Sequence, residues 1–108
     1  NLRFRLQMAR ADALRFLGKR EEQAHELETA LEYARASTEK ATVLSEKALW
    51  NARTGKTNEA LEAAAAAVGE ARNSDDIEVL TQTLVRQAAA LIYAGNLQEA
   101  GPLGRNTL

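Results

Sequence analysis

Apolar residues return every three or four positions along most of the chain. Leu6, Ala9, Ala13, Leu14 and Leu17 keep this spacing, and Ala24, Leu27, Ala30, Leu31 and Ala34 repeat it. That rhythm puts them on one side of an α-helix and the charged residues on the other. No stretch sustains the alternation of a strand. Between Lys19 and Arg53 there is neither glycine nor proline. Gly18, Gly55 and Gly95 each close one apolar run and open the next, the place where a left-handed residue ends a helix. Two polar joints, RASTEK at 35–40 and RNSDD at 72–76, separate the pairs. Ser37, Thr38, Ser74 and Asp75 are the expected N-caps, and Asn96 with Glu99 reads as a capping box. These breaks predict helices over 2–17, 20–36, 38–54, 57–72, 76–94 and 97–107.

The three glycines also set a repeat, standing 37 and 40 residues apart. Seven residues before them lie Ala11, Ala48 and Ala88; four before lie Leu14, Asn51 and Leu91. Ala60 and Ala100 come five after the second and third glycines, whereas after Gly18 the matching alanine is Ala24, one place later. Leu27, Ala64 and Gly104 fall where a second helix should face the first, and Leu31 and Ala67-Val68 fill the next inward turn. A small residue in mid-helix permits close approach, the glycine reverses the chain, and a lone hairpin cannot bury its apolar face. Such units stack.

The strings ADALRFLGKREEQA, KALWNARTGKTNEA and AAALIYAGNLQEA resemble the tetratricopeptide repeat family. The likeness covers essentially the whole chain. The period is longer than the usual 34, as in repeats of bacterial signal-transduction ATPases, nucleotide cyclases and large transcriptional regulators. It implies an all-α solenoid of about three antiparallel hairpins, roughly 2–37, 38–75 and 76–108, wound as a right-handed superhelix. Arg10, Lys47 and Gln87 depart from the pattern eight residues before each glycine, where the family carries a large apolar side chain. Asn51 departs too, with Trp50 beside it to fill the space. Gly101, Pro102 and Gly104 weaken the last helix. The chain opens on Asn1 and stops within the third repeat, so we expect one domain cut from a longer protein, its last repeat truncated.

Composition narrows the function. The 108 residues include 14 basic and 15 acidic side chains, unlike the basic footprint of a nucleic-acid binder. Aromatics are only 5%, so the apolar content is mostly alanine and leucine, which suits closely packed helices. The chain has no cysteine, which excludes disulfides and thiolate metal sites and fits a cytoplasmic protein. No apolar run is long enough for a membrane span.

Gly55-Lys56-Thr57 matches the end of a phosphate-binding loop. That loop needs a glycine five residues earlier, where Trp50 stands, and a strand before it, where a helical run stands. A hairpin corner explains the triplet better. His25 is the only histidine, with Glu21, Glu22 and Glu28 near it in sequence. One histidine supplies too few ligands for a metal, and a solvated helix face accounts for the cluster. Glu21-Glu22 and Asp75-Asp76 sit at helix starts, where they meet the helix dipole. The alanine-rich run at 62–71 keeps helical spacing and lacks the bulky and basic faces of a membrane-lying helix. Neither a catalytic set nor a cofactor is expected.

What remains is the concave face, which the resemblance assigns to the first helix of each repeat. In the family register that face comprises Arg5, Met8, Asp12, Arg15 and Phe16; then Thr42, Ser45, Leu49, Ala52 and Arg53; then Gln82, Val85, Ala89, Ile92 and Tyr93. Phe16, Arg53 and Tyr93 stand two residues before each glycine. With Arg15 they are the expected anchors, since arginine and aromatic side chains dominate interfaces, and Asp12, Ser45 and Gln82 join them. Met8, Asp12, Ser45 and Leu49 lack the Lys/Asn clamp with which some members hold a C-terminal carboxylate. The expectation is therefore a non-catalytic module binding a protein or peptide inside a larger signalling protein. The alternative is a structural spacer or self-association segment linking an ATPase, cyclase or DNA-binding module to its partner domain.

Overall fold

The computed structural model describes residues 1–100, with side chains described through Gly95. Five helices follow one another: α1 (Leu2–Phe16), α2 (Arg20–Tyr33), α3 (Ser37–Arg53), α4 (Thr57–Asn73) and α5 (Ile77–Ala100). Among the described residues there is no strand. α1 packs on α2 and α3 on α4, while α2 meets α3, and α5 lies against both α3 and α4.

The first two glycines reverse the chain in the same way. Gly18 and Gly55 have φ of 74° and 83°. Lys19 N–H donates to the Leu14 carbonyl (3.0 Å) and Gly18 N–H to that of Arg15 (3.1 Å). Lys56 N–H donates to the Asn51 carbonyl (2.8 Å) and Gly55 N–H to that of Ala52 (3.4 Å). This paired closure satisfies the last carbonyls of α1 and α3 and needs a left-handed residue. It answers the Gly-Lys-Thr question: helix α3 precedes the triplet, and Thr57 opens α4.

Gly95 behaves differently. It is not among the positive-φ residues, and α5 runs through it to Ala100. The expected break between 94 and 97 is therefore absent, and Asn96 and Glu99 lie inside α5 rather than at a helix start. The rest of the expected sixth helix lies outside the described residues. A glycine in a helix interior costs only about 1 kcal/mol relative to alanine. A reversal has to be held by the helix that packs back after it, and Gly101, Pro102 and Gly104 are poor material for one.

The N-caps also differ from expectation. Ser37 and Thr38 lie within α3, and Ala36 at its N-cap has no acceptor. The Glu39 carboxylate instead accepts from the Arg35 and Ala36 amides at 3.0 and 3.2 Å. It also accepts from the Asn1 side chain (3.3 Å), whose amide nitrogen donates to the Tyr33 carbonyl as well. The bond from Arg35, reinforced by those from Ala36 and Asn1, holds the Glu39 carboxyl below its usual range against a partial desolvation. At the α4–α5 corner Asp75 takes the left-handed conformation (φ 55°). Asp76 is the cap, accepting from Val79 N–H at 3.1 Å, while Ser74 Oγ accepts from Asp76 N–H at 3.2 Å.

The 37-residue shift aligns the buried positions of the first two hairpins. Phe4 and Ala11 match Ala41 and Ala48. Leu27, Ala30 and Ala34 match Ala64, Ala67 and Ala71, all buried. Ala60 matches Gln23, which is 6% exposed, rather than the anticipated Ala24. The register is unbroken, and a glutamine occupies the small-residue slot.

Candidate functional site

Residues of the three odd-numbered helices surround one open cleft of about 390 Å³. Met8, Ala9, Asp12 and Arg15 come from α1; Thr42, Glu46 and Leu49 from α3; Arg86 from α5. Helical spacing explains the set: Met8, Asp12 and Arg15 lie at steps of four and three, as do Thr42, Glu46 and Leu49. Two ion pairs dress the cleft. Arg15 meets Asp12 at 3.3 Å within α1, and Arg86 of α5 meets Glu46 of α3 at 3.5 Å. The first is exposed and of small energetic weight. The second joins two helices, and the Glu46 side chain is only 15% exposed. At the C-terminal end of α3, the Arg53 guanidinium lies 5.2 Å from the centre of the Tyr93 ring. That is within range of a cation–π contact.

Of the residues expected on the concave face, Met8, Asp12, Arg15, Thr42 and Leu49 line the cleft, and Arg53 and Tyr93 are brought together beside it. Gln82 is exposed on α5 but does not line the cleft. Phe16 is 84% exposed and stacks with Arg15, 5.5 Å from ring centre to guanidinium. The expected ridge of Phe16, Arg53 and Tyr93 is therefore formed in two parts. Ser45 does not belong to the surface at all. It is 3% exposed, and its hydroxyl donates to the Ala41 carbonyl at 2.8 Å. Ala52 is fully buried. α3 is flanked by α2, α4 and α5, so positions exposed on α1 become interior on α3.

Glu46 and Arg86 were missed, although a signal existed. They are 40 residues apart, the same interval as Gly55 and Gly95, and so occupy the same place in successive repeats. Opposite charges at one register position mark neighbouring first helices as in reach of each other.

A second hollow of about 500 Å³ lies among α2, α3 and α4, walled by Trp50, Lys47, Lys56 and Glu28. Four of its lining side chains are engaged with protein groups. Lys47 meets Glu28 at 2.7 Å, Lys56 lies 5.0 Å from the Trp50 ring, and the indole N–H donates to the Arg20 carbonyl at 2.8 Å. Among the described residues no group of three or more His, Asp or Glu side chains is placed to hold a metal ion. Nor is any described helix long and apolar enough to cross a membrane. Comparison with family models, curated proteins and solved structures gives no match.

Proposed function

We propose that the chain is a non-catalytic recognition module in a larger regulatory protein, and that the α1/α3/α5 cleft receives an acidic peptide segment of a protein partner. The observation that carries this reading is the Arg53–Tyr93 contact on the α3 and α5 helices that line the cleft. Both carboxylates at the cleft, Asp12 and Glu46, already face an arginine. Arg53 rests on a tyrosine ring and engages no carboxylate among the described residues. Within the cleft the two arginines and two carboxylates balance, so the cation left over is Arg53 beside it, and an arginine on an aromatic ring is a typical interface anchor. The tetratricopeptide-like stacking of hairpins belongs to the same proposal. It is supported by the shared register of the first two hairpins and by first helices that share one cleft.

The test is capture of partners from lysate by the chain and by a variant carrying Arg15→Ala, Arg53→Ala and Tyr93→Ala. All three sites are exposed, so helicity by circular dichroism should be unchanged. A partner held by the unaltered chain, lost from the variant and released by salt supports the reading. Equal capture by both proteins, or none by either, sinks it.

A further inference from the structure

A separate surface on α5 points to a second contact. The 40-residue shift that carries Gly55 onto Gly95 carries Ala41, Ser45, Ala48 and Ala52 onto Thr81, Val85, Ala88 and Ile92. On α3 those four positions are 0, 3, 1 and 0% exposed, and Ala48 and Ala52 cluster with Ala60 and Ala64 of α4. On α5 the same positions are open, with Val85 at 64% and Ile92 at 62%. Leu84 and Leu91 stand beside them, 41% and 48% exposed. α5 thus presents the slot that α4 fills on α3, and nothing described fills it.

No reversal occurs at Gly95 to supply the cover, since α5 continues as one helix through it to Ala100. From Val79 to Gly95 the sole charged residue is Arg86, which meets Glu46 away from this stripe. Charge depletion and exposed branched side chains mark the core of an interface rather than a solvated face.

We propose that this stripe is a dimer interface, in which α5 packs antiparallel on α5 of a second copy and crosses it at Ala88. The stripe is self-complementary about that residue. A two-fold axis there sets Leu84 against Ile92 of the second copy, Val85 against its Leu91 and Thr81 against its Gly95. Large side chains meet large ones, and the small residue at the crossing admits close approach. One patch serving both molecules is the mark of an isologous contact. The formal net charge of −1 leaves little repulsion between copies. With Ile77, the exposed apolar side chains offer on the order of 600 Å², close to the roughly 800 Å² per partner of a standard interface. None of this depends on what the α1/α3/α5 cleft binds.

The oligomeric state of the 108-residue chain is read by sedimentation equilibrium, beside a Leu84→Glu/Ile92→Glu variant. Both changes are at exposed positions, so the variant's helicity should persist. A dimer that dissociates at roughly a hundredfold higher concentration in the variant is expected. Because the chain has no cysteine, Ala88→Cys gives an independent readout. It should form an interchain disulfide rapidly and quantitatively, while Ala65→Cys, exposed on α4, should not. A chain that stays monomeric at high concentration overturns the proposal, as does a dimer indifferent to the glutamates or equal crosslinking of the two cysteine variants. A monomeric Ala88→Cys variant whose thiol resists alkylation overturns it too, and assigns the cover to the residues after Ala100.

Discussion

The two core clusters solve one packing problem with different materials. Phe4, Leu27 and Val43 fill the first with Ala11, Ala30 and Ala34, and Met8, Leu31, Tyr33 and Trp50 close its edges. The second is built from Ala48, Ala52, Ala60, Ala64 and Ala90, with Leu49 its one large member. Leu27 and Ala64 occupy the same place in successive repeats, as do Phe4 and Ala41. A core of large side chains tolerates a wider gap between helices, because leucine and phenylalanine span it. An alanine core works only if the helices lie close, and the α3–α4 pair is the most extensively packed among the described residues. Each hairpin should therefore respond to the opposite kind of damage.

The largest effects come from exchanging those materials. Leu27 is 1% exposed, so Leu27→Ala leaves a cavity and should cost about 2–5 kcal/mol in urea unfolding. Ala64→Leu places the first hairpin's side chain in the second hairpin's slot and should cost about 1–3 kcal/mol through overpacking. If Ala64→Leu proves neutral, the alanine core is loosely packed and the contrast between the clusters fails.

Glycines sharpen the comparison on a smaller scale. Gly55 needs its positive φ, so Gly55→Ala should cost about 1 kcal/mol although a Cβ there would touch nothing. Gly69, inside α4 with open space around it, should gain about 0.5–1 kcal/mol on conversion to alanine. Gly95→Ala is the informative member of the series. In a continuous α5 it behaves as Gly69 does, and thermal melting should rise. A fall instead would mean that Gly95 serves as a corner, as Gly18 and Gly55 do.

This series also marks how far the residues alone lead. Helix type, the first four boundaries to within a few residues and the corners at Gly18 and Gly55 were legible, because apolar spacing and left-handed closure are local properties. Gly95 was not legible, because the same residue ends a helix or sits within one according to what packs after it. The cleft was half legible. Met8, Asp12, Arg15, Thr42 and Leu49 followed from the family register, but Ser45 failed because α3 has neighbours on several sides and α1 has fewer. Glu46 and Arg86 required reading two repeats against each other for charge as well as for size. Gln23 escaped because a glutamine in a small-residue slot breaks the composition rule while keeping the position.

The smallest effect concerns the joint between the hairpins, where packing is thinnest. α2 meets α3 through a limited contact, and Glu39 ties the Arg35 and Ala36 amides to the Asn1 side chain there. Its carboxyl is held below the ordinary value of 4.5 in the folded chain. A depressed carboxylate contributes stability above its unfolded pKa, and that contribution is lost as pH falls through the folded one. Glu39→Gln removes the charge while keeping an acceptor oxygen. The unaltered chain should therefore be modestly more stable than this variant at neutral pH, and the difference should shrink as the pH drops below 4.5. The Glu39 side chain is only partly buried, so salt should weaken the effect. Denaturant midpoints of both proteins across that range measure it. A difference that persists undiminished into acid would assign the joint to packing by Asn1 and Tyr33 rather than to the carboxylate. The first hairpin would then be held on the second by the same means that hold each hairpin together.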